Sequence, residues 1–188
     1  MQFVQPIRDR KKIAAMKKIL ASNPRNLLLF VLGINSALRV SDLLKLRVWD
    51  VLDEGGKTKD FLEVREQKTG KTKQFELSKN ARKALRLHFD AVNPKPSHYL
   101  FRSREGRNQP LSRQQAHKIL SDAAETVGIT ERVGTHSLRK TFGYHAYKAG
   151  VSISLLQWLL NHSSQSTTLR YLGLTQDDAN QVIRDLNL

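Results

Sequence analysis

Six side chains of this sequence could act together in chemistry: Arg39, Lys68, His136, Arg139, His162 and Tyr171. A guanidinium binds anionic oxygens through a planar pair of donors. An imidazole or an ammonium can transfer a proton, and a tyrosine hydroxyl can act as a nucleophile. His136 and Arg139 are three residues apart, which places them on one face of a helix.

Each of these residues also has an ordinary explanation when it is taken alone. Arg39 could pair with Asp42 three residues later, and His162 follows an apolar stretch at a helix C-terminus, where the macrodipole favours a cationic ring. Lys68 stands at a hairpin tip, and such tips are usually just solvated, although such a loop can also reach into a DNA groove. Tyr171 could be a half-buried packing residue. The set, and not any single member, therefore carries the argument.

The charge of the chain indicates a polyanionic partner. Its 188 residues carry 32 basic and 17 acidic side chains, a formal net charge of +15. The excess lies before residue 151, because residues 151–188 contain only two basic and three acidic side chains. Nucleic acid is the commonest polyanion. Acidic substrates and anionic lipids are alternatives, but no basic amphipathic helix stands out.

Length and composition exclude several classes of protein. The longest apolar run, residues 27–34, is far shorter than the roughly 20 residues that span a bilayer. No signal peptide is visible in the polar and basic residues 1–12, and no cysteine is available for disulfides or zinc. We expect a single domain over residues 1–188, in the cytoplasm.

The elements that must position the six residues are mostly helical. Hydrophobic periodicity and capping residues predict helices over residues 10–22, 27–36, 41–46, 80–91, 112–127, 137–148, 152–160, 167–172 and 175–188. Between them the period changes, which predicts strands over residues 49–52, 60–66 and 73–77. The predicted fold class is mainly α with a small antiparallel β-sheet (α+β).

In order and local sequence, these segments resemble the catalytic domain of the tyrosine recombinases, also called phage-type integrases. That family shows an arginine in an A-L-R-x-S-E-like segment, a hairpin lysine, H-x-x-R, L-G-H and T-x-x-x-Y. The matches here are Arg39, Lys68, His136 with Arg139, His162 and Tyr171, and the stretch 134–172 is especially close. The resemblance covers essentially the whole chain.

The sequence departs from the family pattern in three places. Asp42 stands where glutamate is usual, and Asn161 stands where glycine is usual. Asparagine also tolerates the left-handed conformation that a helix end needs. The smaller helical core-binding domain that usually precedes the catalytic one is expected to be absent, by truncation or because this is a naturally short member.

The resemblance implies DNA strand cleavage and rejoining without metal or ATP. Tyr171 would attack phosphorus and form a covalent 3′-phosphotyrosine, which conserves the bond energy needed for rejoining. Arg39 and Arg139 would hold the non-bridging phosphate oxygens. Lys68 would protonate the leaving 5′ oxygen as the general acid.

The two histidines would complete that site. His136 would accept the tyrosine proton or contact the phosphate, and His162 would position a phosphate oxygen. The competing interpretation is a metal site formed with His145, but spacings of nine and seventeen residues are not a compact ligand motif. We therefore expect no metal ion and no small-molecule cofactor.

The expected partner is double-stranded DNA in a bacterial or phage context, which implies association with the nucleoid. The predicted flanking DNA contacts are Lys71, Lys73, Arg104, Arg107 and Arg113. The apolar stripe of the last helix either packs on its own domain or docks on a neighbouring protomer of a homo-tetramer on synapsed DNA. No membrane contact is expected.

Three other functions compete with recombination. A DNA-binding module of the same fold could lack catalysis, although no catalytic residue is missing here. A type IB topoisomerase-like activity would relax supercoils without sequence preference. A generic RNA-binding protein would need aromatic stacking platforms, whereas the aromatics here are 7% and scattered.

Overall fold

A computed structural model of the chain describes residues 4–66, 70–174 and 176–186. Within these ranges the helices are α1 (Arg10–Leu20), α2 (Pro24–Ile34), α3 (Val40–Leu43), α4 (Val48–Val51), α5 (Lys79–Val92), α6 (Arg113–Thr126), α7 (Thr135–Lys148), α8 (Ile153–Leu159), α9 (Gln165–Leu172) and α10 (Gln176–Leu186). The strands β1 (Phe61–Arg65) and β2 (Thr72–Glu76) pair antiparallel, from Phe61 opposite Glu76 to Arg65 opposite Thr72. The predicted fold class is confirmed.

Most helix starts follow the capping signals in the sequence. The Asn23 side chain accepts a hydrogen bond from the Asn26 amide ahead of α2. Ser112 and Gln115 form a reciprocal capping box at the start of α6. Each of these bonds satisfies an amide that has no partner inside the helix, which fixes where the helix begins.

Helix α7 begins two residues earlier than the sequence predicts. Gly134 is its extended N-cap, and the Gly134 amide donates to the Ser137 hydroxyl over 3.1 Å. Ser137 therefore caps the helix from inside its first turn and does not precede it. Because α7 begins at Thr135, His136 lies in its first turn.

The predicted first strand, over residues 49–52, is wrong. These residues lie mostly in α4, a single helical turn that forms because the Asp50 carboxylate accepts a hydrogen bond from the Arg47 amide over 2.7 Å. Only Leu52 makes a strand-like bridge, to Thr58. The described sheet accordingly has two strands and not three.

Helix α2 runs through the middle of the core and positions the segments that carry Arg39 and Arg139. Leu28, Leu29 and Phe30 are fully buried. Gly33, near its C-terminal end, faces α7 so closely that a Cβ there would lie 2.5 Å from Leu138 Cδ1. This close packing brings the loop after α2, with Arg39, beside Arg139.

The helices are short compared with a bilayer. The longest described ones, α5, α6 and α7, have 14 residues each, or about 21 Å at the usual helical rise. In the part of the chain that the structure describes, no helix is long and apolar enough to cross a membrane.

Candidate active site

Arg139 lies at the centre of the site and joins three chain segments. Its side chain is 3% exposed, and its two terminal nitrogens donate hydrogen bonds to the carbonyls of Ala37 and Leu160. Ala37 lies two residues before Arg39, and Leu160 lies two residues before His162. A guanidinium has five N–H donors, so these two bonds fix its position and leave donors for a ligand. Burial lowers the pKa of Arg139, although arginine keeps its charge.

A buried carboxylate, Glu66, holds Arg39 in place. Arg39 is the N-cap of α3, and its guanidinium lies 3.0 Å from Glu66 Oε2, in a side chain with 0% exposure. The Asn161 side-chain amide donates to the same oxygen over 2.8 Å. Glu66 therefore connects Arg39 to the residue that precedes His162.

Asn161 has the left-handed backbone that the sequence predicts, with φ at 46°. It follows the C-terminal end of α8 and reverses the chain toward His162. Glycine would fit this conformation without strain, but only a longer side chain can reach Glu66. The departure from the family's usual glycine therefore adds a hydrogen bond to the site.

His162 packs on the ring of Tyr171. The two ring centroids are 4.8 Å apart and the planes meet at 72°, an edge-to-face contact. His162 Nδ1 lies 3.1 Å from the hydroxyl of Thr168, which donates to the Ser164 carbonyl. Because that hydroxyl proton is used, His162 is the donor in the pair, and the orientation of its ring is fixed.

The hydroxyl of Tyr171 is buried among cationic groups. It makes no well-formed hydrogen bond to any residue that the structure describes. Burial raises the pKa of Tyr171, while the guanidiniums of Arg139 and Arg39 act in the opposite direction. The end of its helix is fixed by Arg8, which donates to the Gly173 carbonyl over 2.7 Å. A phenol in this setting stays protonated near neutral pH and must lose its proton during reaction.

His136 lies one turn before Arg139, at the rim of an open cavity. Desolvation lowers the pKa of His136, and the nearby charges of Arg113, Arg139, Lys140 and Arg39 lower it further. The neutral ring can therefore accept a proton. The cavity of about 490 Å³ is lined by Val4, Gln5, His136, Lys140, Thr167, Arg170, Tyr171 and Gly173.

Lys140 belongs to this cavity and was not predicted from the sequence. It is 8% exposed, and its Nζ lies 5.3 Å from the centroid of the Tyr171 ring. Burial lowers the pKa of Lys140, and the charge of Arg8 acts in the same direction. Nothing in the sequence distinguishes Lys140 from other lysines except its place next to Arg139.

Glu66 was also missed, but the sequence contains a signal for it. Side chains of β1 alternate between exposed and buried, with Leu62 and Val64 facing inward. Residue 66 continues that alternation, so a carboxylate falls on the buried face next to the hairpin. A buried acid must have a charged or hydrogen-bonding partner, but the sequence does not show that this partner is Arg39.

The residues predicted to contact DNA on either side of the cleaved phosphate differ in their surroundings. Lys73 Nζ donates to the carbonyls of Trp158 and Leu159 over 2.8 and 3.1 Å, which holds it at the end of α8. Burial is the largest effect that lowers the pKa of Lys73, and the charge of Lys71 is among those that lower it further. Arg113 affects His136, as described above. Lys68 lies outside the described residues.

The remaining predicted contacts, Arg104 and Arg107, are exposed in the loop before α6. They lie away from the cluster that Arg39, Arg139, His136, His162 and Tyr171 form. Among residues 4–66, 70–174 and 176–186, no group of three His, Asp or Glu side chains could hold a metal ion. Around the Tyr171 phenol lie the guanidiniums of Arg39 and Arg139, with Glu66 paired to Arg39, and planar guanidiniums suit a phosphate group.

Comparison with known sequences places the chain in a family. Residues 9–177 match the sequence model of the phage integrase family. A probable integrase/recombinase of Bacillus subtilis (strain 168), YoeC, is 44% identical over 178 residues, which cover 94% of this chain and 93% of that protein. The tyrosine recombinase XerA of Pyrococcus horikoshii is 30% identical over 175 residues, which cover 92% of this chain and 59% of that protein.

Solved structures share the fold at lower identity. A crystal structure of XerA recombinase superposes with a TM-score of 0.79 and 22% identity, and covers 100% of this chain and 67% of that one. A post-cleavage complex of XerH with a palindromic difH substrate gives a TM-score of 0.72 at 18% identity, over 99% of this chain and 54% of that one. The chain thus spans little more than half of some relatives. It belongs to the phage integrase family, the tyrosine recombinases.

Proposed function

We propose that this chain cleaves and rejoins DNA strands through a covalent bond between Tyr171 and a 3′ phosphate, as a site-specific recombinase. One observation carries the proposal: the Tyr171 hydroxyl is buried beside Arg139 and Arg39, whose charges both act on its pKa. A nucleophile and two phosphate-binding guanidiniums therefore share one site.

The proposed step is an in-line displacement at phosphorus. The Tyr171 oxygen bonds to phosphorus while the bond from phosphorus to the 5′ oxygen breaks. The phenolic proton passes to neutral His136 or to a phosphate oxygen, and Lys68 donates a proton to the leaving 5′ oxygen. Attack by a 5′ hydroxyl reverses every transfer, so rejoining needs no ATP.

In this proposal the arginines supply the electrostatic stabilisation. Arg39 and Arg139 bind the non-bridging oxygens as charge accumulates on them, and His162 positions one of those oxygens. The guanidinium of Arg139 is already fixed by the Ala37 and Leu160 carbonyls. Little reorganisation is then needed when the phosphate arrives.

Double-stranded DNA is the proposed substrate. The net charge of +15 suits a polyanion, and solved relatives include XerH on difH DNA and a lambda integrase dimer on a COC' core site. We assign Lys71, Lys73, Arg104, Arg107 and Arg113 to flanking phosphates. Work on chromosomal or phage DNA implies association with the nucleoid.

We also propose that residues 1–188 form one catalytic domain and that α10 joins protomers. Val182, Ile183 and Leu186 on α10 are 55%, 70% and 61% exposed. This exposure does not favour packing of the stripe on its own domain. Docking on a neighbouring protomer of a homo-tetramer on synapsed DNA would cover it.

A strand-transfer assay tests the proposed function. Two duplexes with candidate sites are incubated with the protein and a metal chelator, without ATP. Recombinant duplexes with intact backbones are expected. Relaxation of supercoiled DNA without sequence preference would indicate a topoisomerase instead, and binding without any strand breakage would indicate a non-catalytic module.

A further inference from the structure

A second basic cavity lies at the N-terminal end of α2, away from Tyr171. It has a volume of about 460 Å³ and is lined by Asn23, Arg25, His88, Val92, Pro94, His98, Tyr99, Arg102, Ser103, Arg104, Gly106 and Arg107. Four of these residues are arginines and two are histidines, and none is a carboxylate. The described walls therefore place several cationic donors around one space.

Hydrogen bonds to neutral groups hold the Arg25 side chain in the wall of this cavity. One terminal nitrogen donates to the Arg102 carbonyl over 2.6 Å, and Nε and the other terminal nitrogen donate to Asn26 Oδ1 over 3.2 and 3.0 Å. Burial lowers the pKa of Arg25, and the charge of Arg104 lowers it further. Like charges are thus held close together in a cavity whose lining contains no carboxylate, although Glu105 and Asp122 line the adjoining cavity with Arg25 and Arg104. The excess of positive charge favours an external anion.

Arg102 and His98 form a second pair of donors. His98 Nδ1 accepts hydrogen bonds from the Arg102 guanidinium and from the Lys95 amide, both over 3.2 Å. Both partners are obligatory donors, so the proton of a neutral His98 is on Nε2. The ring can therefore offer an N–H without carrying a charge.

The inner wall contains a polar atom that the protein leaves without a partner. His88 is 4% exposed, and its Nδ1 makes no hydrogen bond to the residues that the structure describes. Buried polar atoms are nearly always paired with protein or water. Desolvation lowers the pKa of His88, and the ring has a hydrogen bond to the Leu100 backbone. Its unpaired nitrogen is therefore an acceptor, and the arginines are the groups that would bind an anion.

Two parts of the structure, the start of α6 and helix α2, connect this cavity with the active site. Arg25 and Arg104 also line an adjoining cavity with Gln115, in the first turn of α6. Arg113, in the same turn, acts on His136. Helix α2 has 11 residues and is about 16 Å long. Its first turn borders this cavity, and the loop after its C-terminal end leads to Arg39.

We propose that the cavity bounded by Arg25, Arg102, Arg104 and Arg107 binds one phosphate group of the DNA backbone, at a different position from the phosphate that Tyr171 attacks. The inference rests on the proposed function, because it takes DNA as the substrate. Planar guanidiniums bind phosphate oxygens in pairs, which suits a convergent set of arginines. A free phosphate has the same chemistry and is the other source to be tested.

The test compares two charge-matched double variants. Arg104→Gln with Arg107→Gln removes two exposed arginines from the cavity, and Lys11→Gln with Lys18→Gln removes two exposed lysines from α1. Binding to a duplex that extends a full turn on both sides of a nick is measured against salt concentration. We expect the arginine variant to lose about one unit of the salt slope, since each phosphate contact contributes roughly 0.9, while the lysine variant keeps the slope of the parent.

Two further measurements separate the possible failures. On a duplex trimmed to the few base pairs around the nick, the parent and the arginine variant should bind equally. Equal slopes for both double variants on the long duplex would overturn the inference, while covalent capture of DNA by the same proteins would leave the proposed function standing. Pyrophosphate could instead stabilise the parent against unfolding but not the arginine variant, with no difference in salt slope on DNA. That result would show that the cavity binds free phosphates, and it would also overturn the inference.

Discussion

At the scale of single residues, Glu66 is the least expected part of the site. Its carboxylate is fully buried, lies 3.0 Å from the Arg39 guanidinium and accepts a hydrogen bond from Asn161. A buried charge is tolerated only when it is paired and hydrogen-bonded. We infer that Glu66 is a positioning residue, which acts on phosphate through the orientation of Arg39.

The coupling between Glu66 and Asn161 can be measured by a double-mutant cycle. Asn161→Gly removes the amide but keeps the left-handed backbone, so we expect less than a tenfold loss of cleavage rate. Glu66→Gln removes the charge that orients Arg39, and a larger loss is expected. The double variant should show a coupling of about 0.5–3 kcal/mol in the activation free energy.

Urea unfolding of the same variants provides the control for this cycle. A purely structural role would lower the free energy of unfolding and leave the cleavage rate of the folded protein unchanged. If the two substitutions add within about 0.3 kcal/mol, the carboxylate and the amide act independently, and the positioning role is wrong.

The residues themselves could be predicted to different extents. The motifs around Arg39, His136, Arg139, His162 and Tyr171 carry enough local pattern to be recognised from the sequence. Glu66 acts through contacts with residues far away in the chain, and Lys140 has no local signal at all. Such roles depend on tertiary packing, which single-residue patterns do not encode.

At the scale of elements, the packing of α6 against the start of α7 sets the protonation of His136. Desolvation lowers the pKa of His136, and Arg113 at the first position of α6 is the largest charged contributor. A lowered pKa keeps the ring neutral to a more acidic pH. If neutral His136 accepts the tyrosine proton, cleavage persists below the ordinary histidine pKa of about 6.5.

Replacing Arg113 should therefore move the acid limb of the cleavage rate. Arg113→Gln removes a positive charge, which raises the pKa of His136 and shifts the limb to higher pH. The pKa is followed by the NMR signals of the His136 ring, with Lys118→Gln on the exposed side of α6 as the matched control. A limb that stays in place while the NMR pKa rises would show that His136 is not the base.

Errors of the sequence prediction at this scale have local causes. Residues 49–52 show strand-like alternation, but one hydrogen bond from the Arg47 amide to Asp50 is enough to form a helical turn. The start of α7 is misplaced because Ser137 caps the helix from within its first turn. In both places a single polar contact overrides the hydrophobic pattern.

At the scale of the whole molecule, the apolar stripe of α10 is largely exposed. An ion pair of 2.8 Å between Lys148 and Asp178 connects its beginning to α7. Beyond that, Val182, Ile183 and Leu186 face solvent. This exposure supports the proposal that α10 docks on a neighbouring protomer.

Removing residues 175–188 should therefore affect assembly more than folding. We expect the free energy of unfolding and the affinity for a single site to change little, while formation of a two-duplex complex is lost by gel-shift and light scattering. Val182→Ser with Ile183→Ser provides a milder variant with the same expected loss. Collapse of monomer stability in both would show that the stripe packs on its own domain.

The charge distribution and the order of the motifs can be read directly from the whole sequence. They predicted a basic, mainly helical protein with its candidate residues in one cluster. The second basic cavity could not be predicted in the same way. It forms only where α2, the end of α5 and the loop before α6 meet, and no local pattern joins Arg25 to Arg102.

The central claim is that Tyr171 forms a covalent bond with DNA, and trapping on a nicked duplex tests it most directly. The parent protein and a Tyr147→Phe control should give a denaturant-resistant protein–DNA adduct whose peptide map contains Tyr171 linked to phosphate. The Tyr171→Phe variant should bind the same duplex with nearly unchanged affinity and give no adduct. An adduct formed by Tyr171→Phe would contradict the account.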